Sequence, residues 1–280
     1  MIIFEGNDRY AYRDPACTLV DGVYYLFFTV SEKQNSYMYN YLAMSKSTDL
    51  KEWSKPRILT EKNLLANYTS PGNIIKKNGE YIICLCSYPL PEPYADRWYA
   101  NDDARLYTIR TKDFITFSQA ELLNPKGDIP PNKIGRMIDP FIVCHDGYKL
   151  FFKQNGRIAM SESRDFKNWK YIGEAEGGEN ACVIRRGDEF ILVHSPENGI
   201  GFKRSADMKK WEDMHIVTLG QDKWEWAKGR ITAGFIMEAP ENFRYKYILF
   251  FHGSRDIFPE THGNATLAMA FTNDFKNFCF

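Results

Sequence analysis

Three carboxylates in this chain each stand at the head of an apolar run. Asp14 precedes Pro15-Ala16-Cys17-Thr18-Leu19-Val20, Asp139 precedes Pro140-Phe141-Ile142-Val143-Cys144, and Glu179 precedes Asn180-Ala181-Cys182-Val183-Ile184. A single Asp-Pro is ordinary turn chemistry. Three acids heading three similar runs call for a shared purpose. A set of carboxyl groups can divide acid and base work, because neighbouring negative charge raises one pKa while another group stays ionised. Cleavage of a glycosidic bond needs that division: one carboxyl protonates the leaving oxygen, and another activates water or attacks directly.

The elements that must position these acids come from a repeat. The unit Ser/Thr-x-Asp-apolar-x-x-aromatic occurs at Ser47–Trp53, Thr111–Phe117, Ser163–Trp169, Ser205–Trp211 and Thr272–Phe278. Its Ser/Thr and Asp side chains can take nearby backbone N–H groups and hold a bend, so the unit reads as a turn. Ahead of it lie β-hairpins, marked by Asp21-Gly22, Asn78-Gly79, Asp146-Gly147 and Gly187-Asp188, with a longer tip near Glu241-Asn242 in the last unit. Each unit is then four strands, A to D, with the turn joining C to D. Five such units predict an all-β, five-bladed β-propeller of four-stranded antiparallel blades, spanning residues 1–280 as one domain. The chain reaches Phe280 just after the fifth turn, so the segment near Ile2 to Glu5 is expected to supply the last outer strand and close the ring.

In that topology the starts of the A strands and the ends of the B strands surround one opening. The expected A-strand positions are Asp14, Ser70, Asp139, Glu179 and Thr232, and the B-strand positions are Thr29, Cys86, Lys153, His194 and His252. The three acids therefore converge on one funnel. Arg13, Ser70, Arg136, Lys153, His194, Arg230, Thr232 and His252 are the expected substrate contacts around them. The insertion Pro89–Tyr99 stands at the same end, and Trp98 in it is an expected stacking platform for a sugar face. Trp224 and Trp226 form a second candidate platform.

The motifs Arg13-Asp14-Pro15 with Asp21-Gly22-Val23-Tyr24-Tyr25, Ile138-Asp139-Pro140-Phe141 and the five Asp turns resemble those of glycoside hydrolase family 43 and its five-bladed relatives. Glu179-Asn180-Ala181 is similar to that family's Glu-Gly-Pro acid motif, with two residues changed. The resemblance implies Asp14 as general base, Asp139 as the carboxyl that tunes pKa and orients substrate, and Glu179 as general acid. It implies inversion, with base and acid roughly 6.5–9.5 Å apart. The insertions would narrow the funnel into a pocket, which suits exo-action on short oligosaccharides, and the leading reading is release of a terminal arabinofuranose, xylose or galactose-type sugar. The family often holds a central calcium or sodium ion through a blade-five histidine. Here that stretch is Gly229-Arg230-Ile231-Thr232-Ala233-Gly234, so no cofactor or metal is expected. The Asn-Asp-Pro-Asn and Glu-Cys motifs of fructan hydrolases are absent. Alternative readings are a propeller glycosidase or phosphorylase with a different acid, and a non-catalytic sugar-binding propeller.

Composition narrows the partners. Thirty-six basic residues balance thirty-six acidic ones, which removes the electrostatic case for nucleic acid or an anionic membrane. No apolar run approaches a membrane span, and Met-Ile-Ile-Phe-Glu-Gly lacks the basic start of a signal peptide, so a cytoplasmic location is expected. The six cysteines have no C-x-x-C spacing and read as free thiols.

Overall fold

In the computed structural model, residues 1–93, 102–127, 129–130, 133–256 and 264–280 are described. Their strands form five antiparallel sheets. Blade one is β2 (Tyr10–Val20), β3 (Val23–Gln34), β4 (Tyr37–Ser47) and β5 (Arg57–Ile58). Blade two is β6 (Tyr68–Thr69) with β7 (Ile74–Lys77), then β8 (Glu80–Ser87), β9 (Leu106–Thr111) and β10 (Glu121–Leu122). Blade three is β11 (Ile138–Cys144), β12 (Tyr148–Gln154), β13 (Arg157–Ser163) and β14 (Lys170–Ala175). Blade four is β15 (Glu179–Arg186), β16 (Glu189–Ser195), β17 (Ile200–Ser205) and β18 (Glu212–Val217). Blade five is β19 (Arg230–Glu238), β20 (Tyr247–Ser254), β21 (Thr266–Thr272) and β1 (Ile2–Phe4).

The five-bladed propeller is thus closed by the N-terminal strand, as the sequence predicts. One detail differs. The last residues add β22 (Phe278–Cys279) along the same strand, so Phe271 and Thr272 of β21 pair with β22 while Leu267 and Ala268 pair with β1. The outer strand of blade five is therefore assembled from both ends of the chain. Phe4 stacks on Phe28 at 5.1 Å and anchors β1 against blade one.

The repeated turns have one geometry. In each, the Ser/Thr hydroxyl accepts the N–H of the apolar residue three places on, as Ser47 does from Leu50 at 2.9 Å. The Asp carboxylate accepts the next two N–H groups. The apolar residue takes a left-handed φ, from 55° at Phe114 to 70° at Phe166. That conformation costs an L residue energy, and the ring of hydrogen bonds offsets it. The closing aromatic then packs on the preceding blade: Trp53 meets Phe250, Phe117 meets Phe27, and Trp211 meets Phe151 edge-on. Blade-to-blade packing thus follows from the same short motif that makes the turn.

The hairpin tips behave as their dipeptides predict. Asp21-Gly22 and Asn78-Gly79 both have two positive φ values in succession, which only Asn, Asp and Gly adopt cheaply. All six cysteines are free; four are buried, while Cys144 and Cys279 are exposed. No helix among the described residues is long and apolar enough to cross a membrane.

Candidate active site

The A strands do not enter their blades straight. Each carries an irregularity near the axis, between Arg13 and Ala16, Ile138 and Phe141, Glu179 and Cys182, and Thr232 and Phe235. At each one a residue takes a positive φ: Asp14 (50°), Asp139 (54°), Asn180 (53°) and Ala233 (54°), with Ser70 (47°) as the blade-two counterpart. A bulge of this kind re-aims a side chain at the cost of one ladder bond.

The bulges correct the ring alignment expected from sequence. Asp14, Ser70 and Asp139 are equivalent, but their blade-four and blade-five equivalents are Asn180 and Ala233, not Glu179 and Thr232. Glu179 and Thr232 sit one residue earlier, level with Arg13, Thr69 and Ile138. The three acids share a cavity without sharing one symmetric position.

The same slip of one residue removes His194 from the expected contacts. Thr29, Cys86, Lys153 and His252 pair with Arg13, Thr69, Ile138 and Thr232, and the residue paired with Glu179 is Ser195. Neighbouring side chains on a strand point to opposite faces. His194 therefore leaves the cavity wall, packs against Gly177 and Gly201, and accepts the Gly178 N–H on Nδ1 at 3.1 Å. It fastens the chain that leads into Glu179.

The B-strand residues tie each blade to the next. Thr29 Oγ1 accepts the N–H of Ser70 (2.8 Å), Ser195 Oγ that of Ala233 (2.6 Å), and His252 Nδ1 that of Asp14 (3.2 Å). Cys86 is bonded to the Asp139 backbone in the same way. The orphaned bulge N–H groups are thus satisfied across the blade boundaries. Lys153 breaks the pattern. An ammonium has no lone pair to offer, so it donates to the Glu179 carboxylate instead.

Above this ring lies a cavity of about 200 Å³. Asp14, Asp139 and Glu179 all line it, as do Arg13, Ser70, Arg136, Lys153, Arg230, Thr232 and His252. Trp98 lies outside the described residues. Trp224 and Trp226 stack on each other at 5.3 Å and pack toward Phe251, and neither lines the cavity. Sequence reasoning missed Asn40, Thr69, Tyr88 and Asn180, which also line it. Thr69 and Asn180 adjoin named positions and were within reach of the repeat. Tyr88 lies just past β8, and Asn40 lies in the long β3–β4 hairpin, for which the sequence carries no signal.

The three acids have different electrostatics. Asp14 is buried; its Oδ2 accepts from Thr29 Oγ1 at 3.0 Å and from Ser70 Oγ at 3.3 Å, with Arg13 at 3.9 Å. Burial raises its pKa, against the pull of Arg13 and the two hydroxyls. Asp139 is pushed up to about 7 by burial and by the negative charges of Glu179 and Asp14. Burial also acts upward on Glu179, but Lys153 and Arg230 (Nη2 at 3.0 Å) outweigh it and hold that carboxyl well below the usual range. Burial and charge thus push Asp139 toward its protonated form, and Lys153 and Arg230 hold Glu179 toward its ionised one. That differs from the expectation of Glu179 as the protonated partner. His252 is held neutral by burial and by Arg13 and Arg230, so Nδ1 is free to accept the Asp14 N–H.

No group of three His, Cys, Asp or Glu side chains among the described residues could hold a metal ion. The axial pocket beneath the cavity measures about 20 Å³, close to the ~10–15 Å³ that one water requires.

No protein-family profile matches the chain, and no curated protein matches it. Solved structures do. A thermostable family-43 glycoside hydrolase is 14% identical and superposes with a TM-score of 0.66 over 95% of this chain and 91% of its own. The catalytic domain of the Coprinopsis cinerea GH62 α-L-arabinofuranosidase is 12% identical, with a TM-score of 0.68 over 96% and 94%. The GH43_1 enzyme from Xanthomonas citri, complexed with xylose, is 12% identical, with a TM-score of 0.62 over 99% and 92%. The chain thus has the five-bladed fold on which these glycosidases are built.

Proposed function

We infer that the protein is a glycoside hydrolase whose active site is the cavity holding Asp14, Asp139 and Glu179. One observation carries the reading: three carboxyl groups from three blades face one small cavity, and their environments drive their pKa values apart. Separated pKa values are what acid and base roles require. The fold shared with family 43 and family 62 enzymes supports the same reading by analogy.

Asp14 is the general base in this proposal. Two hydroxyl donors and Arg13 fix its orientation and favour its ionised form. Asp139 stores the proton. Glu179 becomes the acid once an arriving sugar draws Lys153 or Arg230 away, because its pKa then climbs. A second reading has Asp139 donate directly, and the Lys153–Glu179–Arg230 clamp favours it. A cavity of about 200 Å³ lies below the ~300–1,000 Å³ of pockets that bury larger ligands, which suits one terminal sugar and hence exo-action. Inversion carries over from the resemblance.

The test is hydrolysis of aryl glycosides with good and poor leaving groups by the wild type, D14N, D139N and E179Q. The base variant should lose activity on both. The variant lacking the acid should lose far more on the poor leaving group. Full activity in D14N on both substrates would remove Asp14 from the mechanism and the proposal with it.

A further inference from the structure

The cavity wall carries more positive charge than its own carboxylates neutralise. Arg13, Arg136, Lys153 and Arg230 face only three carboxyl groups, and burial pushes one of these, Asp139, toward its neutral form. Lys153 and Arg230 are committed to Glu179, and Arg13 stands beside Asp14. Arg136 is different. It makes no ion pair with any described residue, and its guanidinium lies over the Tyr88 ring at 5.0 Å. Its Nε is buried with no hydrogen-bond partner among the described residues.

The backbone around Arg136 is held from both sides. Buried Gln154 donates to the carbonyl of Ile134 at 2.8 Å, and buried Arg105 donates to that of Gly135 at 3.0 Å. Gly135 has φ 79°, so the chain turns sharply just before Arg136. A guanidinium set on an aromatic face, on a backbone held by two buried polar side chains, with its buried Nε lacking a hydrogen-bond partner among the described residues, gains when an anion pairs with it. The planar fork of an arginine matches a carboxylate through two parallel hydrogen bonds.

We propose that the sugar bound in this cavity is acidic, a uronic acid residue whose carboxylate is received by Arg136 over Tyr88. Arg136 is the specificity-determining residue that separates acidic from neutral sugars. The inference rests on the sugar-binding reading of the cavity and names its substrate class.

The experiment uses two readouts. Calorimetry compares binding of free uronic acids with their neutral parent sugars, which needs no catalysis. Hydrolysis compares aryl uronides with the matching aryl hexosides and pentosides. Wild type should prefer the acidic member by about 10–100-fold, the worth of a charge-assisted bidentate pair. R136M should abolish that preference through KM, and R136K should restore part of it. A matching melting temperature confirms that R136M is folded. Preferential uronic acid binding without hydrolysis would uphold the inference and remove the hydrolase reading. Hydrolysis of neutral glycosides with no acidic preference, or phosphate-dependent turnover that needs Arg136, would overturn the inference and leave a glycosidic-bond-cleaving site.

Discussion

The same residue type serves opposite ends of blades one and three. Asp49, Asp113, Asp165, Asp207 and Asp274 lie exposed in the repeated turns, and two backbone N–H groups on each carboxylate lower its pKa. Asp14 and Asp139 sit at the axis, where burial raises theirs. The turn aspartates are interchangeable copies that work by shape. The axial pair is irregular, and each member has different neighbours. Repetition in this fold makes the turns, and departure from repetition gives each axial carboxyl its own surroundings.

The sharpest break of that comparison is D14N. It should lower kcat/KM on aryl glycosides by about 10²–10⁴-fold, the usual worth of a general base. Its melting temperature should hold or rise, because a buried carboxyl is costly to ionise. A variant that unfolds without losing activity per folded molecule would reverse the assignment of roles.

Ring closure should follow in size. Removing residues 1–6 deletes β1 and the Phe4–Phe28 contact and should cost about 3–5 kcal/mol, the scale of losing a packed Phe. An unchanged denaturation midpoint would mean that β22 alone secures β21.

The pH response of Asp139 comes next. Its folded pKa lies above its unfolded one, so the folded state holds a proton that the unfolded state releases between about pH 4 and 7. Stability should therefore fall as pH rises through that window, and D139N should flatten the slope. Glu179 is shifted the other way, so its contribution is present above about pH 4.5 and lost as the solution is acidified below that. If wild type and D139N melt in parallel from pH 4 to 8, the proton does not reside on Asp139.

The smallest effect belongs to the turns. D165A removes the acceptor for the N–H groups of Lys167 and Asn168 and should lower the melting temperature modestly with kcat/KM intact. Loss of activity in the folded variant would join the two ends of the blade that the comparison keeps apart.

Much of this architecture is legible in the chain itself. A Ser/Thr-x-Asp turn needs only its own neighbours, so five copies announce five blades wherever they fall. The three acids are legible because each interrupts an apolar pattern. Ring position was harder to read. A bulge shifts register by one residue, and that single step moved Glu179 off the symmetric position and turned His194 away from the cavity. Nothing local reports a bulge of this kind, since Asn180 and Ala233 take a positive φ without being glycine.

The sequence by itself determined the repeat and the carboxyl groups of the funnel, because these depend on short-range hydrogen bonding and on alternation along a strand. Only the tertiary structure decided which carboxyl is pushed toward its protonated form and which toward its ionised one. Glu179 is held ionised by Lys153 from blade three and Arg230 from blade five, 26 and 51 residues away in the chain. Electrostatic energy depends on distance through space and on burial, and neither is set until the blades close around the axis.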